Sequence, residues 1–178
     1  GCKMATVPSY AADYMKRIAF LDGQVLHDFH LNMMQKNIAE AIKLKTTRER
    51  YDMYLLVSPY DMYFCEPFIN NTDRDENSTA ALNTLSFSIN SGAWESSLLE
   101  LPLPTEEINL VSNFEDYPNK GAYVKFYFRS SKTADWQKIR VDQPILLETP
   151  RKYIQIKVEC TYTGTVRPSV YDFALMWR

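Results

Sequence analysis

Apolar residues recur at helical spacing in one stretch near the front of the chain. They lie three or four positions apart, at Leu31, Met34, Ile38, Ala41 and Ile42. This spacing is typical of an amphipathic helix, and polar side chains fill most of the positions between. Asp28 is a suitable N-cap, because its carboxylate can accept hydrogen bonds from free backbone N–H groups. The pattern predicts one helix over residues 28–45, with its apolar stripe against protein.

After residue 50 the dominant period becomes two, which is the spacing of half-buried strands. Turn signals separate the runs every 8–15 residues. The predicted strands cover residues 51–57, 62–68, 84–90, 107–112, 122–128, 136–141, 145–148, 153–162 and 170–177. Many short strands with no helical pattern among them favour an antiparallel β-sandwich or jelly roll. We therefore expect a mainly β protein with one N-terminal helix, divided into an N-terminal helical segment (1–50) and a β-sandwich domain (51–178).

Composition and charge narrow the classes of function. Twelve Tyr and nine Phe against five Gly favour strands and protein interfaces. The net charge is −2 and the only basic run, residues 43–50, falls at the predicted helix end, where cations complement the helix dipole. A nucleic-acid partner is therefore not expected. No apolar stretch reaches the length of about 18 residues that a membrane span requires.

Three cysteines, Cys2, Cys65 and Cys160, form no CxxC pair, so their spacing does not favour a zinc site. Cys65 and Cys160 fall in strand-like runs and are expected to be buried thiols. Three origins remain open for the Gly1–Cys2 start: a native end after Met removal, a processed end, or a remnant of the expression vector. A processed end would resemble a bacterial lipoprotein with an acylated Cys2.

Other chemical motifs are incomplete. Asp73, Asp75 and Asn77 have calcium-loop spacing, but the sixth and twelfth places hold Ser78 and Thr84, so residues 70–78 are expected to be a solvated loop. His27 and His30 are three apart and lack a third ligand. The sequence has no nucleophile elbow and no glycine-rich phosphate loop. We expect no catalytic residues, no metal and no cofactor.

Aromatic rings offer one alternative kind of site. Sugar-binding sandwiches stack a pyranose on an exposed ring. The candidate platforms are Trp94, Trp136, Tyr162 and Trp177. Each of them also fits packing in the core or at an interface, which is the interpretation that we favour.

Residues 18–38 resemble a segment of tailed-phage structural proteins with the form Phe-x-Asp-Gly-Gln-x-Leu followed by a helix. The matching positions are Phe20, Asp22, Gly23, Gln24, Leu26, Leu31, Asn32, Gln35 and Asn37. The chain departs from the pattern at His30, where an acidic residue is commoner. In such proteins the segment precedes a long helix that docks the subunit into a tail, baseplate or neck. The resemblance therefore implies a role in virion assembly.

Residues 122–177 resemble a β-sandwich module that is also common in phage tail proteins. The resembling pieces are residues 124–131, Trp136, residues 151–158 and residues 167–175. Galactose-binding-like sandwiches outside phages share this second pattern. Together the two stretches cover less than half of the chain.

From these observations we expect a structural virion protein, a connector or adaptor that forms homo-oligomers and binds other virion proteins after assembly in the host cytoplasm. The alternative is an exported or lipid-anchored carbohydrate-binding sandwich at the bacterial cell surface. The candidate assembly residues are Phe20, Asp22, Gly23, Gln24, Asn32 and Ile38. Asp22–Gly23 should form a tight turn, since Gly accepts positive φ. Gln24 and Asn32 would then form hydrogen bonds to a neighbouring subunit or act as local caps. We assign no ligand-binding residue from the sequence.

Overall fold

The computed structural model describes residues 28–178, with side chains from residue 33 onward. The chain divides into two compact units, Gly1–Thr46 and Thr47–Arg178. The predicted domain boundary at residue 50 falls four residues after this division, inside the same helix. Phe20, Asp22, Gly23, Gln24 and their turn lie outside the described residues.

The predicted helix is present and is longer than the periodicity indicated. Helix α1 spans Asp28–Leu56. The strand predicted over residues 51–57 is therefore wrong. The segment contains two Tyr and one Val, which favour strands in isolation, but packing against the sheet overrides that preference. The basic run of residues 43–50 consequently lies in the helix body, and our explanation by the helix dipole is wrong too.

Helix α1 ends at Leu56 and is followed by a turn at Ser58–Pro59. The Ser58 N–H donates to the Leu55 carbonyl at 3.0 Å, and the Ser58 hydroxyl donates to the same oxygen at 2.8 Å. Pro59 disfavours helical geometry in the residue before it. The chain then turns directly into the first strand.

Seven strands follow the helix within the described part of the chain. They are β1 (Met62–Glu66), β2 (Gly92–Glu95), β3 (Leu99–Glu115), β4 (Ala122–Arg129), β5 (Gln137–Ile139), β6 (Ile145–Tyr162) and β7 (Ser169–Trp177), with a 3₁₀ turn at Pro118–Lys120. All of their pairings are antiparallel. The prediction of a mainly antiparallel β protein with an N-terminal helix is confirmed.

The strands form two layers that share β6. One layer has the order β1–β7–β3–β6, and the other places β6 between β2 and β4, with β5 beyond β4. The first part of β6 pairs with β3 up to Ile154, and its remainder pairs with β4 from Gln155. Long β6 thus replaces the two strands predicted at residues 145–148 and 153–162. Pro150 lies between the two predicted strands, beside a register shift, where a strand tolerates proline.

Aromatic side chains fill the core between the two layers. Phe68, Trp94 and Phe173 contact one another at centroid distances of 5.3–6.0 Å. Ile108, Leu110, Ile154 and Ile156 are fully buried beside them. The alternation of buried and exposed residues in β4 and β6 produces this core, as the sequence pattern indicated.

A buried polar side chain sits where β6 passes from one layer to the other. Gln155 is 1% exposed, accepts a hydrogen bond from Arg129 Nε at 2.7 Å and donates to the Ser96 carbonyl at 2.8 Å. Its amide is therefore satisfied at both ends, as a buried polar group requires.

The strand predicted over residues 84–90 is wrong: residues 84–87 form a turn, and only isolated bridges follow at Ser88 and Ile89. The Asn83 side-chain oxygen accepts hydrogen bonds from the N–H groups of Leu85 and Ser86, and Asn83 and Ser88 form a β-bridge around it. Local bonding by Asn competes with strand pairing, so alternation alone was misleading here. The sequence analysis also missed β2, a four-residue strand that buries Trp94.

Leu110 and Leu85 allow a matched test of the core. Leu110 is 0% exposed, whereas Leu85 is 95% exposed. We expect Leu110→Ala to lower the free energy of unfolding by about 2–5 kcal/mol, because it leaves a cavity. Leu85→Ala should change it by less than about 0.5 kcal/mol. Urea unfolding measures both, and equal effects would contradict the assigned core.

Candidate assembly surface

A buried carboxylate on β7 fixes the C-terminal part of α1 to the sheet. Asp172 is 0% exposed and accepts hydrogen bonds from Arg50 Nη1 at 2.7 Å and from Tyr51 Oη at 2.5 Å. Both donors come from α1. Burial raises the pKa of Tyr51, and the Asp172 charge raises it further. The phenol therefore stays protonated and keeps donating throughout the physiological pH range.

Two further tyrosines bind carboxylates around the same contact. The Tyr54 hydroxyl, on α1, donates to Asp142. The Tyr63 hydroxyl, on β1, donates to Asp52 of α1 at 2.5 Å. Burial raises the pKa of both phenols, and their carboxylate partners add to the rise. Three tyrosine–carboxylate bonds thus connect residues 51–54 with the sandwich.

Apolar contacts accompany these polar bonds. Tyr51 packs in a cluster with Val111 of β3 and with Ala174 and Met176 of β7. Leu55 and Cys65 lie at its edge. The buried face of this part of the helix is therefore a Tyr-rich stripe, which explains why a strand-like composition folds here as a helix.

An open pocket of about 390 Å³ lies beside this contact. It is lined by Arg50, Tyr51, Tyr54, Val111, Ser112, Asn113, Val141 and Asp142. Arg50 binds Asp172, and Tyr54 binds Asp142, so these charged and phenolic groups serve the helix contact. The bonds of Arg50 and Tyr51 to Asp172 and of Tyr54 to Asp142, which we call the clamp, hold the helix on the sheet. The arrangement fits this structural role better than a catalytic site.

Several large apolar side chains of α1 and the following turn are exposed. In the second unit Met53 is 72%, Leu56 84% and Val57 86% exposed. In the first unit Ile38 is 42% and Ile42 60% exposed. Such residues are the usual material of protein–protein contacts.

Two residues of the predicted apolar stripe, Ile38 and Ile42, are exposed within one chain. Among the helix side chains described from residue 33 onward, the buried ones are instead Asn37, Leu44, Thr47 and Tyr51. Contact of Ile38 with a neighbouring subunit stays a prediction. Asn32 lies in α1, but its side chain, like those of Leu31 and His30, is outside the described set.

The candidate sugar platforms are occupied. Trp94 and Trp177 are buried at 2% and 8% exposure. Arg129 Cζ lies 4.1 Å and Lys157 Nζ 4.8 Å from the ring centroid of Trp136. Arg167 Cζ lies 4.8 Å from that of Tyr162. Trp94 and Trp177 belong to the core. Trp136 and Tyr162 bind the chain's own cations, so the structure does not support a sugar platform.

The polar loop at residues 70–78 is more ordered than a solvated loop. Asp75 is 5% exposed and accepts hydrogen bonds from Lys132 Nζ at 2.8 Å and from the Asn77 N–H at 2.9 Å. Ser78 is also buried. Our expectation of a solvated loop is wrong at these two residues, because a lysine 57 positions away binds the loop.

Cys160 is buried and Cys65 half-buried, and both are free thiols, in agreement with the sequence-based expectation. Burial raises the pKa of Cys65 to about 11 and that of Cys160 to about 12. Among residues 28–178 no group of three or more His, Cys, Asp or Glu side chains is placed to hold a metal ion. In the same part of the chain no helix is long and apolar enough to cross a membrane. The absence of catalysis stays a prediction.

Comparison with known proteins adds little to this geometry. No protein-family model and no curated protein sequence matches the chain. A chain in the crystal structure of accessory secretory proteins 1, 2 and 3 of Streptococcus pneumoniae is 17% identical, with a TM-score of 0.35. The match covers 58% of this chain and 87% of that one. A TM-score this low supports no inference about function.

Tyr54 provides a pH-dependent test of the clamp. Its pKa is raised from 10.0 to about 12 by burial and then by the bond to Asp142. A phenol whose pKa is raised on folding stabilises the protein fully below about pH 10 and loses that effect as pH rises through its folded pKa. Tyr54→Phe should therefore cost about 1 kcal/mol at pH 8. The difference from the parent should shrink between pH 10 and 12.

Urea unfolding of both proteins at pH 8 and pH 11.5 measures this difference. The parent is the control for every other titrating group. A difference that is the same at both pH values would show that the Tyr54–Asp142 bond does not stabilise the fold.

Proposed function

We propose that this chain is a structural virion protein of a tailed phage, a connector or adaptor in the tail, baseplate or neck that acts by protein–protein assembly. The observation that carries the proposal is the exposure of large apolar side chains along α1, among them Ile42 at 60% and Leu56 at 84%. When a partner covers exposed apolar surface, the burial stabilises the complex by about 25 cal/mol per Å².

The clamp at Asp172 supports an assembly role for the helix. A docking element has to hold its own position before a partner binds, since ordering it on binding would cost conformational entropy. Arg50 and Tyr51 hold the C-terminal part of α1 while Met53 and Leu56 point away from the sandwich core. The helix is thus prepared for a contact outside its own subunit.

The phage context of the proposal rests on the segment at residues 18–38, which resembles the docking segment of tailed-phage proteins. The expected partners are further copies of this chain and other virion proteins. The proposed location is the virion, after assembly in the host cytoplasm. The resemblance makes the segment and α1 parts of one docking element.

Substitutions on the exposed side of α1 test the proposal in the full-length chain. Ile42→Asp and Leu56→Asp should leave the melting temperature within a few degrees of the parent, because both side chains are exposed. Size-exclusion chromatography with light scattering should show the parent as a multiple of 20.7 kDa and the variants as monomers. The variants should stay monomeric because assembly would bury an unpaired aspartate charge in the interface.

Leu85→Asp is the matched control, since Leu85 is 95% exposed and belongs to the turn at residues 84–87, not to α1. It should assemble like the parent. A parent that stays monomeric at high concentration and with candidate virion partners would contradict the proposal. So would helix variants that assemble normally.

A further inference from the structure

A second surface, unrelated to α1, lies at an open side of the sandwich. A pocket of about 210 Å³ is enclosed by Phe114 of β3 and by residues of β4, β5 and the segment after β5. Its apolar lining consists of Phe114, Val124, Phe126, Ile139 and Val141. The rings of Phe114 and Phe126 meet edge to face at 5.6 Å. The pocket thus reaches down to the core and offers a place for an apolar side chain.

Cations surround this pocket. Lys125, Lys138 and Arg140 line it, and Lys138 and Arg140 also line an adjoining pocket of about 370 Å³ with Gln143, Pro144 and Ile145. Neither lining includes a carboxylate. Within residues 28–178 none of the three cations forms an ion pair. Glu159 of β6 lies opposite Lys125 in the β4–β6 register, whereas Lys138 and Arg140 share both pockets with no carboxylate in the lining. In a chain with 22 acidic and 20 basic residues, this is a local concentration of positive charge.

The strand beside the pocket is a sheet edge. β5 ends the strand order and, in the described part of the chain, pairs only with β4, through Phe126↔Ile139, Tyr127↔Lys138 and Phe128↔Gln137. Backbone groups on its outer side can therefore accept another strand. Strand addition uses main-chain hydrogen bonds for affinity and side-chain pockets for specificity.

We propose that the β5 edge binds an extended acidic segment of a partner protein. The segment adds as an antiparallel or parallel strand along β5 and places one apolar side chain in the 210 Å³ pocket. Its carboxylates lie against Lys125, Lys138 and Arg140. This proposal goes beyond the assembly role of α1 and does not depend on the phage assignment.

A polypeptide fits this surface better than a nucleic acid. Single-stranded nucleic acids bind by stacking bases on open aromatic rings beside a basic groove. Trp136, directly before β5, binds Arg129 and Lys157, and Tyr127 binds Lys157 at 4.7 Å. These rings already serve the chain's own cations. The open backbone of β5, in contrast, complements another strand.

A fluorescent peptide titration with the full-length chain tests the proposal. The probe is a blocked peptide of about eight residues in which Glu alternates with Leu and Ser. We expect saturable one-site binding that weakens by about tenfold or more in the double variant Lys138→Glu/Arg140→Glu, because two attractions become repulsions. Lys120→Glu, an exposed charge reversal outside both pockets, should bind like the parent. Equal melting temperatures show that the variants are folded.

Hydrogen exchange separates strand addition from simple charge attraction. Bound peptide should slow amide exchange in residues 137–140. Three outcomes would overturn the proposal: no saturable binding, equal binding by the parent and the double variant, or unchanged exchange in β5. Binding of a single-stranded oligonucleotide in place of the peptide would also overturn it. If no probe bound, Lys138 and Arg140 would serve only to protect the sheet edge from unwanted strand pairing.

Discussion

The Asp172 carboxylate is the group on which the arrangement of helix and sheet depends. It is 0% exposed in the middle of a strand, and a buried charge is costly unless it is paired and hydrogen-bonded. Arg50 and Tyr51, adjacent on α1, both donate to its Oδ1 atom. These bonds fix the C-terminal part of α1 beside β7, and the Tyr-rich contact forms around them.

The same clamp separates the helix residues into two groups with different tasks. Tyr51, Tyr54 and Leu55 face the sandwich, whereas Met53, Leu56 and Val57 face away from it. A flexible helix with these apolar groups would collapse onto any apolar surface. A fixed helix presents them in one geometry, which is what a specific assembly contact needs. The basic edge at β5 is a different surface. It offers positive charge and open backbone groups to a partner, whereas α1 offers apolar area.

Sequence periodicity predicted the class of fold well because the period of two is strong where a strand buries one face. The start of α1 and the strands β4 and β7 fell close to their predicted positions. The two main errors have different causes, one distant and one local. Residues 51–56 form helix because Asp172, 121 positions away from Tyr51, binds it. Residues 84–87 form a turn because Asn83 bonds the local backbone. The basic surface at β5 was less predictable still, since only the fold brings Lys138 and Arg140 beside Lys125 and Phe114.

A double-mutant cycle between Tyr51→Phe and Asp172→Ala tests most directly that this bond fixes α1 to the sheet. Urea unfolding of the parent, both single variants and the double variant gives the coupling free energy. A direct hydrogen bond to a buried carboxylate predicts coupling of about 1–2 kcal/mol. Tyr123→Phe, paired with Asp172→Ala, is the control, because Tyr123 is 39% exposed on another strand and should show no coupling. Additive effects of Tyr51→Phe and Asp172→Ala would contradict the account.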